Sequence, residues 1–189
     1  VVSGTAAVSA LGNDTVTVSG VGVGAFASKN AADNIGVTVS GYAIAGADSG
    51  NYNLLQPAGL NANITKANLI VSGLTAANKV YNKDLVANLG GTAVVNALGN
   101  DNVTLGGSVT GAFSDKNAAT GKSVTIRGHA ISGADAVNYN LIQQAGVTAD
   151  ITKANLSVSG MTASNRVYDA GVAASLSGTA VITALSGDT

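Results

Sequence analysis

The sequence predicts an all-β protein, organised as tandem immunoglobulin-like β-sandwich repeats of 87 residues. Three observations carry that expectation. Apolar and polar residues alternate in short runs, the pattern of a strand with one buried face. Clusters of Gly, Asn and Asp, such as 11-LGND-14 and 99-GNDN-102, punctuate the runs, and these residues prefer turns. All ten acids are Asp and none is Glu, so the good helix-forming acid is missing. A parallel β-solenoid is the alternative architecture. It calls for coils of about 20 residues, and no clean sub-period of that size stands within the 87.

The strands follow in order. In 15-TVTVSG-20, Val16 and Val18 face one way and Thr15 and Thr17 the other. The runs 37-VTVSGYAI-44, 68-NLIVSG-73, 124-VTIRGHAI-131 and 155-NLSVSG-160 alternate in the same way. Each period holds about seven or eight such strands, a number that suits a small antiparallel sandwich.

The repeat itself runs without a gap. Gly4-Thr5-Ala6 returns as Gly91-Thr92-Ala93 and Gly178-Thr179-Ala180. Ala10-Leu11 returns as Ala97-Leu98 and Ala184-Leu185, followed by Asp14, Asp101 and Asp188. Residues 1–64 and 88–151 agree at 36 of 64 positions, so the two copies serve as an internal alignment. The expected organisation is the C-terminal part of a first repeat over 1–66, a complete second repeat over 67–153, and the N-terminal part of a third over 154–189. The exchanges Ser28/Asp115, Ser40/Arg127 and Asn63/Asp150 are expected on solvent faces. The connection 61-NANITKANLIVSG-73 has no Pro and no Gly/Ser tract, so strand should run almost directly into strand, giving a semi-rigid rod. The opening VVSGTAAV is already in mid-pattern, so the sequence reads as a window on a longer protein.

Composition narrows the function classes. Charged residues are 10% and the net charge is −1, with no basic stripe of the kind nucleic acid requires. No apolar run approaches the roughly 20 residues of a membrane-spanning helix, so neither nucleic acid nor membrane insertion is expected. There is no Cys, which removes disulfides and thiolate metal sites. His129 is the single His and its counterpart is Tyr42. A surface or half-buried strand residue is therefore expected there. No nucleophile–base set can be built in the first copy, and no enzymatic activity is expected. The run Gly20-x-Gly22-x-Gly24 precedes no helix signal, so it is not a phosphate loop.

Two stretches hold the candidate site: 46-GADSGNYNLL-55 and 133-GADAVNYNLI-142. Asp48 and Tyr52 return as Asp135 and Tyr139, while Gly50 becomes Val137. A kept Asp and Tyr among drifting neighbours suits a structural corner, with the carboxylate satisfying turn N–H groups and the hydroxyl bonding back to the backbone. No catalytic, cofactor or metal residue is assigned. Calcium is the one cofactor worth weighing, because Asp14, Asp101 and Asp188 recur. Asp33 becomes Thr120, however, and no D-x-D-x-D-G loop is present, so the turn reading is preferred. Lys29/Lys116 and Lys66/Lys153 also recur, but the sequence names no acid partner for a Lys–Asn crosslink.

The combination of ITKANL, VY-N/D, F-x-DKN and GADxxNY resembles the YDG repeats of large bacterial adhesins, which are similar to haemagglutinin-like exoproteins of the two-partner secretion pathway. The resemblance implies a secreted, cell-surface or extracellular stalk of tandem β-domains without catalytic residues. Partners would be neighbouring repeats of the same chain or identical chains. One alternative is a subunit of an extracellular filament assembled by strand complementation. Another is a module for carbohydrate or a host surface, using the turn tips at 28–34 and 115–121.

Overall fold

The computed structural model describes residues 4–186 and 188. The expected repeat edges at 1 and 189 lie outside them. The described chain is all-β, with no α-helix. Its strands are β1 Thr17–Phe26, β2 Ala32–Ala45, β3 Leu60–Ile64, β4 Ala67–Ile70, β5 Ser72–Ala76, β6 Lys79–Val80, β7 Val86–Ala87, β8 Leu89–Val94, β9 Thr104–Phe113, β10 Ala119–Ser132, β11 Tyr139–Ile142, β12 Thr148–Thr152, β13 Val158–Ala163 and β14 Leu176–Ile182. A parallel solenoid is not seen: it would stack parallel coils, whereas β1–β2, β5–β8, β10–β12 and β13–β14 pair antiparallel. The stretch 67–153 holds nine strands rather than seven or eight, because β6 and β7 are pairs of only two residues.

The expected strand at 15–20 is ten residues long and the one at 37–44 is fourteen. A cross-strand glycine pair explains the extension. Gly20 has φ 76° and Gly41 φ 91°, and a Cβ on either would collide with a backbone carbonyl oxygen of the other strand. The register shifts between Gly20 and Val23, as in a β-bulge that bends a strand without ending it. What reads as a turn signal in the sequence is therefore a bend inside a hairpin. The run at 68–73 instead breaks at Val71, which is buried and donates its N–H to the Ile142 carbonyl at 2.9 Å.

The described chain divides into two compact units. Unit one comprises the described residues up to Leu69, with Ala97–Thr104 and Ile131–Leu141. It contains the three-stranded sheet β1–β2–β3 and most of the β4–β11 pair. Ile35, Val39, Leu69 and Tyr139 are buried in it. Unit two comprises Ile70–Asn96, Leu105–Ala130 and the described residues from Ile142 onward. It is built on the five-stranded order β6-β12-β10-β9-β7, with β5–β8 and β13–β14 as separate hairpins. Phe113, Val124, Ile126, Val147 and Ile151 form its core, and Leu74, Ala76 and Leu89 of β5–β8 pack against them. Each such side chain contributes about 1.5–3 kcal/mol when fully buried.

Differences between the copies turn out to be paired. Asp115 faces solvent, as expected, and its carboxylate also meets Lys122 Nζ at 2.6 Å; Lys122 is buried where the first copy has Ile35. A buried ammonium needs such a partner, and the Lys holds the Asp115 carboxyl below the usual carboxylate range. Asn63 and Asp150 do the same work: Asn63 accepts the N–H of Asn34, and Asp150 that of Gly121, each at 2.8 Å. Asn34 and Gly121 both sit at positive φ, 56° and 61°. Ser40 and Arg127 are exposed, as expected.

A third pairing concerns the single His. His129 is 8% exposed, more deeply buried than its strand pattern suggested. Its counterpart Tyr42 lays its ring over Gly22, where any Cβ would collide with it. The counterpart of Gly22 is Val109, so the smaller imidazole accompanies the larger neighbour. Gly22→Val should cost about 1–3 kcal/mol by overpacking, read as a lower urea midpoint. The double variant with Tyr42→His should recover most of that loss.

Candidate functional site

The site is built on a four-residue turn. Asp14 donates its N–H to the Leu11 carbonyl at 3.0 Å, and Asp101 does the same to Leu98. Gly12 and Gly99 lie inside these turns at φ 55° and 54°, a conformation that glycine adopts without strain. Tyr52 comes from a distant stretch of chain. Its hydroxyl accepts the Leu11 N–H and donates to Asp14 Oδ2, both at 2.8 Å. Asp48 Oδ2 accepts the N–H of Thr15 at 2.8 Å. One Tyr and one Asp thus close both ends of the turn.

The second copy repeats the arrangement. Leu98 N–H donates to the Tyr139 hydroxyl, which donates to Asp101 Oδ2, each at 2.8 Å. Asp135 Oδ2 accepts the Asn102 N–H at 2.9 Å. Of the four sequence-assigned residues, the structure brings Asp48 with Tyr52, and Asp135 with Tyr139, each pair onto one turn. The carboxylates do differ from expectation in what they satisfy. Each Asp precedes a short 3₁₀ turn, Ser49–Asn51 or Ala136–Asn138, and makes no side-chain cap there. Its partner lies 33 residues earlier in the chain, which local spacing could not reveal.

Charge gathers around the second turn. Lys29 Nζ lies 3.1 Å from Asp135 Oδ1 and 3.4 Å from Asp101 Oδ1. These are the acid partners that the sequence left unnamed. The Lys29 side chain is well exposed, so solvent screens the pairs. Asn138 Oδ1 accepts the N–H of Ala31 at 2.9 Å, and its amide donates to Asn30. The Asn102 N–H, aided by Lys29, holds the Asp135 carboxyl below the ordinary range. Burial raises the Tyr139 hydroxyl above the ordinary tyrosine value, and Asp101 adds to the rise. In unit two, Lys116 reaches Asp188 Oδ1 at 3.4 Å and Tyr81 donates to the same carboxylate at 2.8 Å. Tyr81 belongs to the VY element, whose partner is not visible in the sequence.

Two cavities occupy equivalent places. In unit one, Ala31, Ala67, Leu98 and Asp101 help line about 150 Å³, with Asn138 and Tyr139 among its walls. In unit two, their counterparts Ala118, Ala154, Leu185 and Asp188 help line about 450 Å³. No group of three or more His or Asp side chains able to hold a metal ion stands among the described residues. Among the turn tips, Asp115 and Lys116 are engaged with Lys122 and Asp188.

Sequence reasoning missed the glutamines. Gln56 donates to the Tyr42 carbonyl at 2.8 Å and accepts the Tyr42 N–H at 3.3 Å. Gln143 makes the same two bonds to His129, and Gln144 to Leu74. Each amide stands in for a strand that the edge lacks. The recurrence of Gln56 as Gln143 was the available signal.

A family model for the YDG domain matches residues 1–59 and 65–149. The chain belongs to the YDG domain family. No curated protein and no solved structure matches it. The matched stretches of the YDG domain include both Asp–Tyr turns in full.

Two outcomes test the turn. Tyr139→Phe should lower the melting temperature by about 5 °C, and Tyr52→Phe by less, because Tyr52 is half-buried where Tyr139 is 5% exposed. Stability should also be flat at intermediate pH and fall on both sides. The lowered Asp135 and Asp188 carboxyls contribute stability above the unfolded value of about 3.9 that is lost as pH falls below it. The raised Tyr139 hydroxyl contributes stability below about 10 that is lost as pH rises through its folded value. Asp135→Asn should flatten the acid limb in a pH series of thermal melts.

Proposed function

We propose that this YDG chain is a non-enzymatic stalk segment of a secreted bacterial cell-surface adhesin, projecting a distal binding region from the cell. One observation carries the reading: the same Asp–Tyr–turn constellation recurs in two copies, and the bonds that recur in both, through the Tyr hydroxyl and the Asp Oδ2 atoms, are made to the protein's own backbone and side chains. A site kept for a ligand would leave donors or acceptors pointing outward. Here the Tyr hydroxyls, the Asp carboxylates and the Asn138 amide bind their own chain. In this reading the partners are neighbouring repeats, no cofactor is required, calcium included, and each 87-residue repeat is an immunoglobulin-like sandwich.

A stalk is defined by length. Strands of 10 and 14 residues rise about 3.3 Å per residue, so each added repeat should lengthen the particle by roughly 35–45 Å. Small-angle scattering on chains with increasing repeat number measures this directly. A maximum dimension that fails to grow in proportion would rule out a stalk. A glycan array with selective binding lost in Lys116→Ala would favour the carbohydrate-binding reading instead.

A further inference from the structure

The tip of one long hairpin lies against the base of the next. Lys29, Asn30 and Ala31 sit between β1 and β2. Asp101 and Asp135 flank the base of the β9–β10 hairpin, where Asp135 donates its N–H to the Asn102 carbonyl at 3.2 Å. All of these residues belong to unit one. Lys29 reaches both carboxylates, 72 and 106 residues further along the chain. The Ala31 N–H donates to Asn138 Oδ1 at 2.9 Å, and the Asn138 amide donates to Asn30 Oδ1 at 3.2 Å. A backbone donor of the tip is thus satisfied by a side chain from the following copy.

Two observations separate this contact from a chance surface pairing. Both halves of it are unchanged between the copies. Lys29, Asn30 and Ala31 return as Lys116, Asn117 and Ala118, although Ser28 becomes Asp115 and Asp33 becomes Thr120. Asp14, Asp48 and Asn51 return as Asp101, Asp135 and Asn138, although Ser49 and Gly50 become Ala136 and Val137. The Lys–Asp step recurs as well. In unit two, Lys116 reaches Asp188 at 3.4 Å across the same 72 residues. Apolar contact accompanies the polar one: Ala31, Ile64, Ala67 and Leu98 line the cavity beside Lys29 and Asp101.

We propose that the Lys29–Ala31 tip is a docking element for the Asp–Tyr turn at the base of the following hairpin, and that consecutive copies are coupled through this contact. The turn presents two carboxylates and one side-chain amide. The tip answers with one ammonium, one side-chain carbonyl and one backbone N–H. Tyr139 and Asp135 already tie that turn to its own hairpin, so a seated tip stabilises the base of its neighbour as well as itself. Stability then contains a nearest-neighbour term, as in other tandem arrays. Docking of this kind gives the stalk reading its repeat-to-repeat contact, and rests on that reading for the role of the copies. A chain that lengthens with repeat number but shows no coupling would defeat the docking and leave the stalk standing.

Residue-resolved amide hydrogen exchange on the full 189-residue chain tests the coupling. Lys29→Ala/Asn30→Ala alters the tip alone, and both residues are exposed, so this variant should fold as the unmodified chain does. The Leu98 and Asn102 N–H groups, at the base of the next hairpin, should then exchange about threefold faster or more. The Leu11 and Thr15 N–H groups, held by Tyr52 and Asp48, should keep their rates. Asn138→Ala approaches from the other side, and the Ala31 N–H should exchange about tenfold faster. Salt at about 1 M should reproduce part of the tip effect in the unmodified chain and add little in the tip variant. Unchanged exchange at Leu98 and Asn102 in the tip variant overturns the inference. So does an equal acceleration at Leu11 and Thr15, which would mean a general loss of stability. An Ala31 N–H indifferent to Asn138→Ala overturns it too.

Discussion

A single hydroxyl group holds the most constrained part of each repeat. The Tyr52 and Tyr139 oxygens each accept one backbone N–H and donate to one carboxylate, at opposite ends of the same four-residue turn. The two ends must then keep their spacing. The paired Asp fixes the next N–H along the chain. Through these three bonds the turn before each long hairpin is locked to the segment after it. In a chain with 10% charged residues and no Cys, these bonds close the hairpin's base without a disulfide.

The long hairpins amplify that constraint. The glycine bulge lets β1 and β2, or β9 and β10, continue past an apparent stop. In unit two the core holds Phe113 and its aliphatic neighbours. Edges that lack a strand are closed by Gln side chains, whose amides offer the donor and acceptor of a missing peptide group. Backbone satisfaction, rather than charge pairing, is the dominant polar economy of the molecule.

Much of this was legible in the sequence, and what was not has a physical cause. The all-β class, the 87-residue period and the special standing of Asp48, Tyr52, Asp135 and Tyr139 follow from alternation, turn residues and repetition. Strand ends did not, because Gly20 and Gly41 signal a stop to any local reading and act as a bulge only once they face each other. The partner of each Asp was hidden because it lies 33 residues back in sequence and is a backbone N–H, which leaves no mark in residue identity. The pairing of exposed Asp115 with Lys122 was hidden because its reason, Lys122 in place of Ile35, is visible only once the two side chains are seen to meet. The burial of His129 was hidden in the same way.

Those compensated differences also bear on how such a gene can change. Similar tandem copies invite crossover between one repeat and the next. A crossover falling between positions 22 and 42 of the period would place Val109's side chain against Tyr42's ring, or Gly22 beside His129's smaller one. A crossover between positions 28 and 35 would leave Lys122's ammonium buried beside Ser28, or Asp115 without its cation. Only exchanges that carry the whole hairpin keep each side chain with the neighbour it was fitted to. The hairpin, smaller than the repeat and larger than any motif, is thus the unit in which these copies can be shuffled without loss of stability.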